Sequence, residues 1–184
     1  GQKIGWTSMD AIRFERSIIE REEQGRVSSA SIVLDSEVRE AIASIEASSQ
    51  YSWTDGQLNS LHGILLCGNR FQALQGYTVL RAVAQIAKND GYTVRGMAPT
   101  HAAALQLADG AELESATTTV KAHVQSELYT SKVRSRIPEM WIVDEASLIP
   151  TKELDKLMKS AEKADARVLL VGDLQQLGSI EAGD

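Results

Sequence analysis

The chain has a single cysteine, Cys67, in 184 residues. No internal disulfide can form, which excludes a secreted scaffold held by cystine bridges. Cys67 lies in the apolar run Ile64-Leu65-Leu66-Cys67-Gly68 with no organised histidine partner, so it reads as a small buried hydrophobe of a reducing cytoplasm rather than a nucleophile. No window approaches the roughly 18 consecutive apolar residues of a membrane span. Gly1-Gln2-Lys3-Ile4-Gly5-Trp6 also lacks the apolar centre of a secretory leader. The expectation is a cytoplasmic protein without membrane insertion. Internal repeats, low-complexity tracts and linkers are missing as well. Positive charge is in short supply: 19 Lys and Arg against 25 Asp and Glu leave a net charge of −6, which argues against a protein that grips duplex backbone over its whole surface.

Charge distribution qualifies that exclusion. Acids crowd the first part of the chain, at Glu15, Glu20, Glu22, Glu23, Glu37, Glu40 and Glu46, whereas Lys121, Lys132, Arg134 and Arg136 share a stretch with Glu127 alone. Two readings stay open, one basic edge on an acidic body or an ordinary solvated surface. The length fits one domain with a core of its own. The absence of an initiator methionine, and an end at Glu181-Ala182-Gly183-Asp184 just after a motif, predict a piece excised from a longer protein.

The order of elements predicts an α/β fold. Asp10 to Glu23 spaces Ile12, Phe14, Ile18 and Ile19 among charges as an amphipathic helix stopped near Gly25, and Ser36 to Ala47 repeats the pattern with Val38, Ile42 and Ile45. Thr54-Asp55-Gly56-Gln57 has the capping-box form and opens a helix through Leu65. Strand then alternates with helix: 71–76 with 79–88, 92–98 with 100–107, 140–144 with 152–164, and 167–172. That rhythm predicts a mainly parallel sheet flanked by helices, over residues 51–184, preceded by a helical region over 1–50.

Chemistry is expected at the carboxyl ends of the strands. Asp144 and Glu145 follow the hydrophobic strand Met140-Trp141-Ile142-Val143, where a nucleotide hydrolase keeps acids for its magnesium shell and attacking water. Gly172-Asp173-Leu174-Gln175-Gln176-Leu177 sets the Asp173 carboxylate and the Gln176 amide at the same edge, placed to sense a third phosphate. At Ala98-Pro99-Thr100-His101-Ala102 a strand stops and Thr100 can cap a helix, whose N-terminus is either a plain cap or a phosphate site. Gln57 is likewise open between completing its capping box and reading an adenine edge. One part of a nucleotide site is missing. Between the strand ending at Gly76 and the helix from Val79 only Tyr77 and Thr78 intervene, where a hydrolase holds its phosphate loop.

These motifs together resemble the N-terminal RecA-like domain of superfamily 1 helicases of the RecD branch, and more closely that of conjugative relaxase–helicases of the TraI type. The resemblance covers about residues 54 to 184; the first 50 fit the helical region before the motor only loosely. In that family a Gly-x-Ala-Gly-x-Gly-Lys-Thr loop joins strand to helix, and the Ala-Gly-x-Gly-Lys-Thr portion has no counterpart after Gln75-Gly76. Ala98 to Ala104 is similar to motif Ia, which touches single-stranded DNA, and Thr117-Thr118-Thr119-Val120-Lys121 to the family's Thr-Ile-His segment, with Lys121 at the histidine position. Some relatives carry one active and one vestigial helicase unit.

The resemblance therefore implies a non-catalytic single-stranded DNA-binding module, with Thr100, His101, Ala102, Thr119, Lys121 and His123 toward DNA. Gln57, Gly76, Thr78, Asp144, Glu145, Asp173 and Gln176 would be remnants of a nucleotide site. No catalytic residue, metal or cofactor is expected in this domain, with ATP and magnesium serving the parent protein. Expected partners are single-stranded DNA, other domains of the same polypeptide and the conjugative secretion machinery. Two alternatives remain: a working ATP-dependent helicase domain whose loop is missing from this sequence, and a domain that docks proteins at the secretion channel.

Overall fold

A computed structural model of the chain describes residues 8–49, 52–76, 78–113, 117–129 and 137–172. Helices α1 (Met9–Gln24), α2 (Val38–Ser48) and α3 (Asp55–Leu66) lead into strand β1 (Phe71–Leu74). Alternation follows: α4 (Leu80–Asn89), β2 (Thr93–Ala98), α5 (His101–Gly110), β3 (Thr117–Thr119), α6 (Val120–Tyr129), β4 (Glu139–Val143), a 3₁₀ turn at Ala146–Leu148, α7 (Thr151–Ala164) and β5 (Arg167–Val171). The strands form one five-stranded sheet in the order β1-β5-β4-β2-β3, and every pairing is parallel. The expected α/β class, a parallel sheet between helices preceded by helices, is what the chain adopts.

Local chemistry sets the element ends. Ser8 Oγ accepts the Ala11 amide at 3.1 Å to start α1, and the Gly25 amide closes its last turn on the Arg21 carbonyl. A Cβ on Gly25 would meet the Phe71 ring at 2.8 Å, so only glycine lets α1 end this close to β1. The capping box at α3 is complete: Gln57 N donates to Thr54 Oγ1 at 3.3 Å, and Thr54 N donates to Gln57 Oε1 at 2.9 Å.

Burial follows the sheet's two faces. On one, α2 to α5 pack Val38, Leu61, Leu65, Val83 and Leu107 against Met140, Ile142 and Leu169. On the other, α6 and α7 pack Val124, Leu157 and Met158 against Trp141, Val143 and Val168. All five residues of the central β4 are buried. By contrast, 71–76 was expected to be a buried strand, yet β1 ends at Leu74 and exposes Ala73. Its neighbour among the described residues is β5 alone, so it forms an edge. Cys67 is half-buried rather than fully buried. Among the described residues no helix is long and apolar enough to cross a membrane.

Two buried charges tie the N-terminal region to β5 and to α7. Arg167, at the start of β5 and 3% exposed, donates to the carbonyls of Ala30 and Cys67. Asp155 on α7, 1% exposed, accepts from Ser17 Oγ at 2.6 Å and Lys159 Nζ at 2.6 Å, with Arg21 Nε at 3.7 Å. Burial pushes the Asp155 carboxyl up, but the hydrogen bonds from Lys159 and Ser17 more than offset this and hold it below its ordinary value. A lowered carboxyl stabilises the fold fully above the unfolded value of about 3.9, and that contribution is lost as pH falls through the folded value. Acid melts are accordingly expected to detach α1 before the sheet, and Asp155→Asn to remove that early step. Hydrogen exchange of the α1 amides against pH checks it; an α1 step that persists unchanged in the variant would contradict it.

Candidate nucleic-acid interface

Parallel pairing gathers all the strand carboxyl ends at one edge of the sheet, in the order Leu74, Val171, Val143, Ala98, Thr119. Each strand delivers its following residues there. Ala98 is in register with Thr119, so the two segments expected to face DNA start from neighbouring positions. Thr100 Oγ1 accepts the Ala103 amide at 3.2 Å, and Thr119 Oγ1 accepts the Ala122 amide at 3.2 Å. Two threonine-capped helices, α5 and α6, thus begin from neighbouring strand ends and run onto opposite faces of the sheet. A cap takes one of the four amides that lack partners at a helix start, and the rest point outward with the positive dipole end. His101, Ala102 and Lys121 are exposed on these first turns.

His123 does not join them. It is 5% exposed, and its ring meets Trp141 edge-on, with centroids 4.5 Å apart and planes at 76°. One turn beyond Thr119, the helix has rotated this position from the sheet's edge onto its face. His123 therefore packs the core under α6 and does not present itself to a strand of DNA.

Next along the edge stand Asp144 and Glu145. Asp144 is 6% exposed, and its Oδ1 accepts the Glu145 amide at 2.6 Å. Glu145 takes a left-handed backbone conformation, φ 48° and ψ 38°, which directs the chain from β4 into the 3₁₀ turn. Both acids line a cleft of about 450 Å³ with Leu80, Gln106, Leu107, Gly110 and Ala111. The acids therefore do face the start of α4, where a phosphate loop would lie. Arg81 pairs with Glu112 at 2.6 Å and Arg95 with Glu139 at 3.1 Å.

Because Asp144 anchors the turn after β4, Asp144→Asn, which keeps an accepting oxygen but removes its charge, is expected to lower stability by about 1 kcal/mol, no more than one ordinary hydrogen bond. DNA affinity should hold. Melting and oligonucleotide titration of the variant test this together; unchanged melting with several-fold tighter DNA binding would overturn it.

The remaining nucleotide-site candidates scatter. Gln57 spends its side-chain oxygen on the Thr54 amide, at the start of α3. Gly76 has φ +99°, a turn conformation open to glycine, and Thr78 is exposed before α4. Among the described residues no side chain caps α4. Asp173 and Gln176 lie outside the described residues, as do Lys132, Arg134 and Arg136. Among the described residues no group of three or more His, Cys, Asp or Glu could hold a metal ion.

Sequence reading passed over two features. A second cleft, about 400 Å³, is lined by Trp53, Thr78, Arg81 and Gln85 where α2 and α4 converge. Gln106 and Gly110, four apart on α5, help wall the first. The i, i+4 spacing places both on one helix side, a signal that was available but carries no chemistry by itself.

The parallel sheet, the acids at its carboxyl edge and the helix starts beside them define a helicase-like α/β nucleotide-hydrolase scaffold. A profile of the AAA domain family matches residues 52–184, and the chain belongs to that family. It is also 31% identical over 108 residues, 58% of its length, to the "Probable conjugal transfer protein TraA" of Sinorhizobium fredii (strain NBRC 101917 / NGR234). The matched stretch is 9% of that relative's length.

Proposed function

We propose that this domain is a non-catalytic, single-stranded DNA-binding module of a conjugative relaxase–helicase, working in plasmid DNA processing and transfer in the cytoplasm. The observation that carries the reading is the junction between β1 and α4. β1 ends at Leu74 and α4 starts at Leu80, and residues 75–79 supply neither the Gly-rich amide cradle nor the lysine, so the Thr78 hydroxyl stands without the Lys-Ser/Thr pair that holds phosphate and magnesium. Asp144 and Glu145 then have no phosphate-bound metal to act on, whereas the paired helix starts at Thr100-His101 and Thr119-Lys121 keep what a phosphate backbone needs. The similarity to a conjugal transfer protein supports the setting. ATP and magnesium belong, on this reading, to another motor unit of the parent polypeptide.

A titration with labelled oligonucleotide at two salt concentrations, run beside an ATPase assay, tests the proposal. Single strands should bind more tightly than blunt duplex, and no magnesium-dependent turnover should appear. One or two phosphate contacts give a shallow log–log salt slope, about −0.7 for each. Turnover abolished by Glu145→Gln would show a live motor. Amide shifts confined to residues 10–50 on adding oligonucleotide would place binding elsewhere.

A further inference from the structure

At the opposite end of the α2–α5 face, away from the strand carboxyl ends, α2 and the last turn of α4 border a groove of about 370 Å³. Its floor is apolar: Val33, Ala41, Ile45 and Ile86. Its rim is acidic, with Glu37 and Glu40 from the first turn of α2 and Asp90 from the cap of α4. All three are exposed, and none forms an ion pair among the described residues. Next in the chain to Val33 stands Leu34, a large apolar side chain left 61% exposed. The C-terminal end of α4 adds the negative end of its dipole, and the one lysine of its last turn, Lys88, is turned away to the Glu112 carbonyl at 2.6 Å.

Acids at the start of α2 are favourable for that helix alone. Asp90 is not explained that way, since a carboxylate at a helix C-terminus opposes the dipole. We infer that this groove docks a basic amphipathic segment of a protein partner, in which Lys or Arg stems lie along the Val33, Ile45 and Ile86 floor, their charged heads reach Glu37, Glu40 and Asp90, and an apolar neighbour covers Leu34. Long basic side chains are built for such a seat, with methylenes on apolar surface and the charge at a polar rim. Nucleic acid is repelled by the same rim, so this surface serves a different partner from the opposite edge of the sheet.

The probe is a fluorescein-labelled 12-residue amphipathic peptide of Lys and Leu, with a Glu and Leu counterpart, read by anisotropy. The triple variant Glu37→Gln, Glu40→Gln, Asp90→Asn is compared with Glu15→Gln, Glu20→Gln, Glu23→Gln on α1, which removes the same charge. Loss of two or three charge pairs should weaken the Lys peptide about tenfold in the groove variant and less than about twofold in the α1 variant. Leu34→Ser should weaken it several-fold with charge unchanged, and peptide-induced amide shifts should fall on residues 33–45 and 86–90. Equal weakening by both triple variants would reduce the effect to net charge and overturn the inference, as would no weakening by either, or no loss with Leu34→Ser.

Discussion

Arg167→Met is expected to cost about 2–4 kcal/mol and to lower the melting temperature by roughly 5–15 °C, the largest single-residue effect predicted for this fold. The guanidinium is buried at the start of β5, where it donates to the Ala30 carbonyl before α2 and the Cys67 carbonyl after α3. Burial pulls its proton affinity down, and Tyr92 counters part of that pull. Methionine matches the stem but leaves the Ala30 and Cys67 carbonyls without this donor, in surroundings partly closed to water. Relief from burying a cation offsets part of the loss, hence a range. Denaturant melts of wild type and variant check the value. A loss below about 1 kcal/mol, the worth of one ordinary hydrogen bond, would mean that other contacts fix the segment around Ala30.

Lys121→Glu is expected, on the proposed DNA-binding reading, to weaken single-stranded DNA binding about tenfold while leaving the melting temperature within about a degree, because the charge on the first turn of α6 is exposed and touches nothing in the core. Lys121→Ala should flatten the log–log salt slope by about 0.7, one phosphate contact. Thr119→Ala separates the roles: loss of the cap costs about 1 kcal/mol in stability and loosens the helix start that presents the lysine. An unchanged affinity in Lys121→Glu would remove this helix start from the binding surface. His123→Ala, by contrast, should act on stability through the Trp141 contact and leave the salt slope untouched.

Much of this architecture was legible because it is local. Apolar period, the Thr54–Gln57 box and Thr100 before α5 act within three or four residues, so the sequence alone determined most helices and strands in order and most of their limits, while β3 and α6 over 117–129 carry no such local pattern and were not expected. It also determined that acids follow β4 and that no phosphate loop lies between β1 and α4, since both are statements about neighbours in the chain. Strand adjacency is different. Parallel partners lie far apart along the chain, β1 and β5 furthest of all, and the order β1-β5-β4-β2-β3 is chosen by how the intervening helices cover both faces, which no short window contains. Only the tertiary structure could make Phe71–Leu74 an edge, bring Ala98 into register with Thr119, and rotate His123 into the core. The same holds for Asp155 and Arg167, which read along the chain as ordinary surface charges. Packing of α1 and of the segments around α2 and α3 buries them, and burial is a property of what comes to lie on top, not of the residue or its neighbours in sequence.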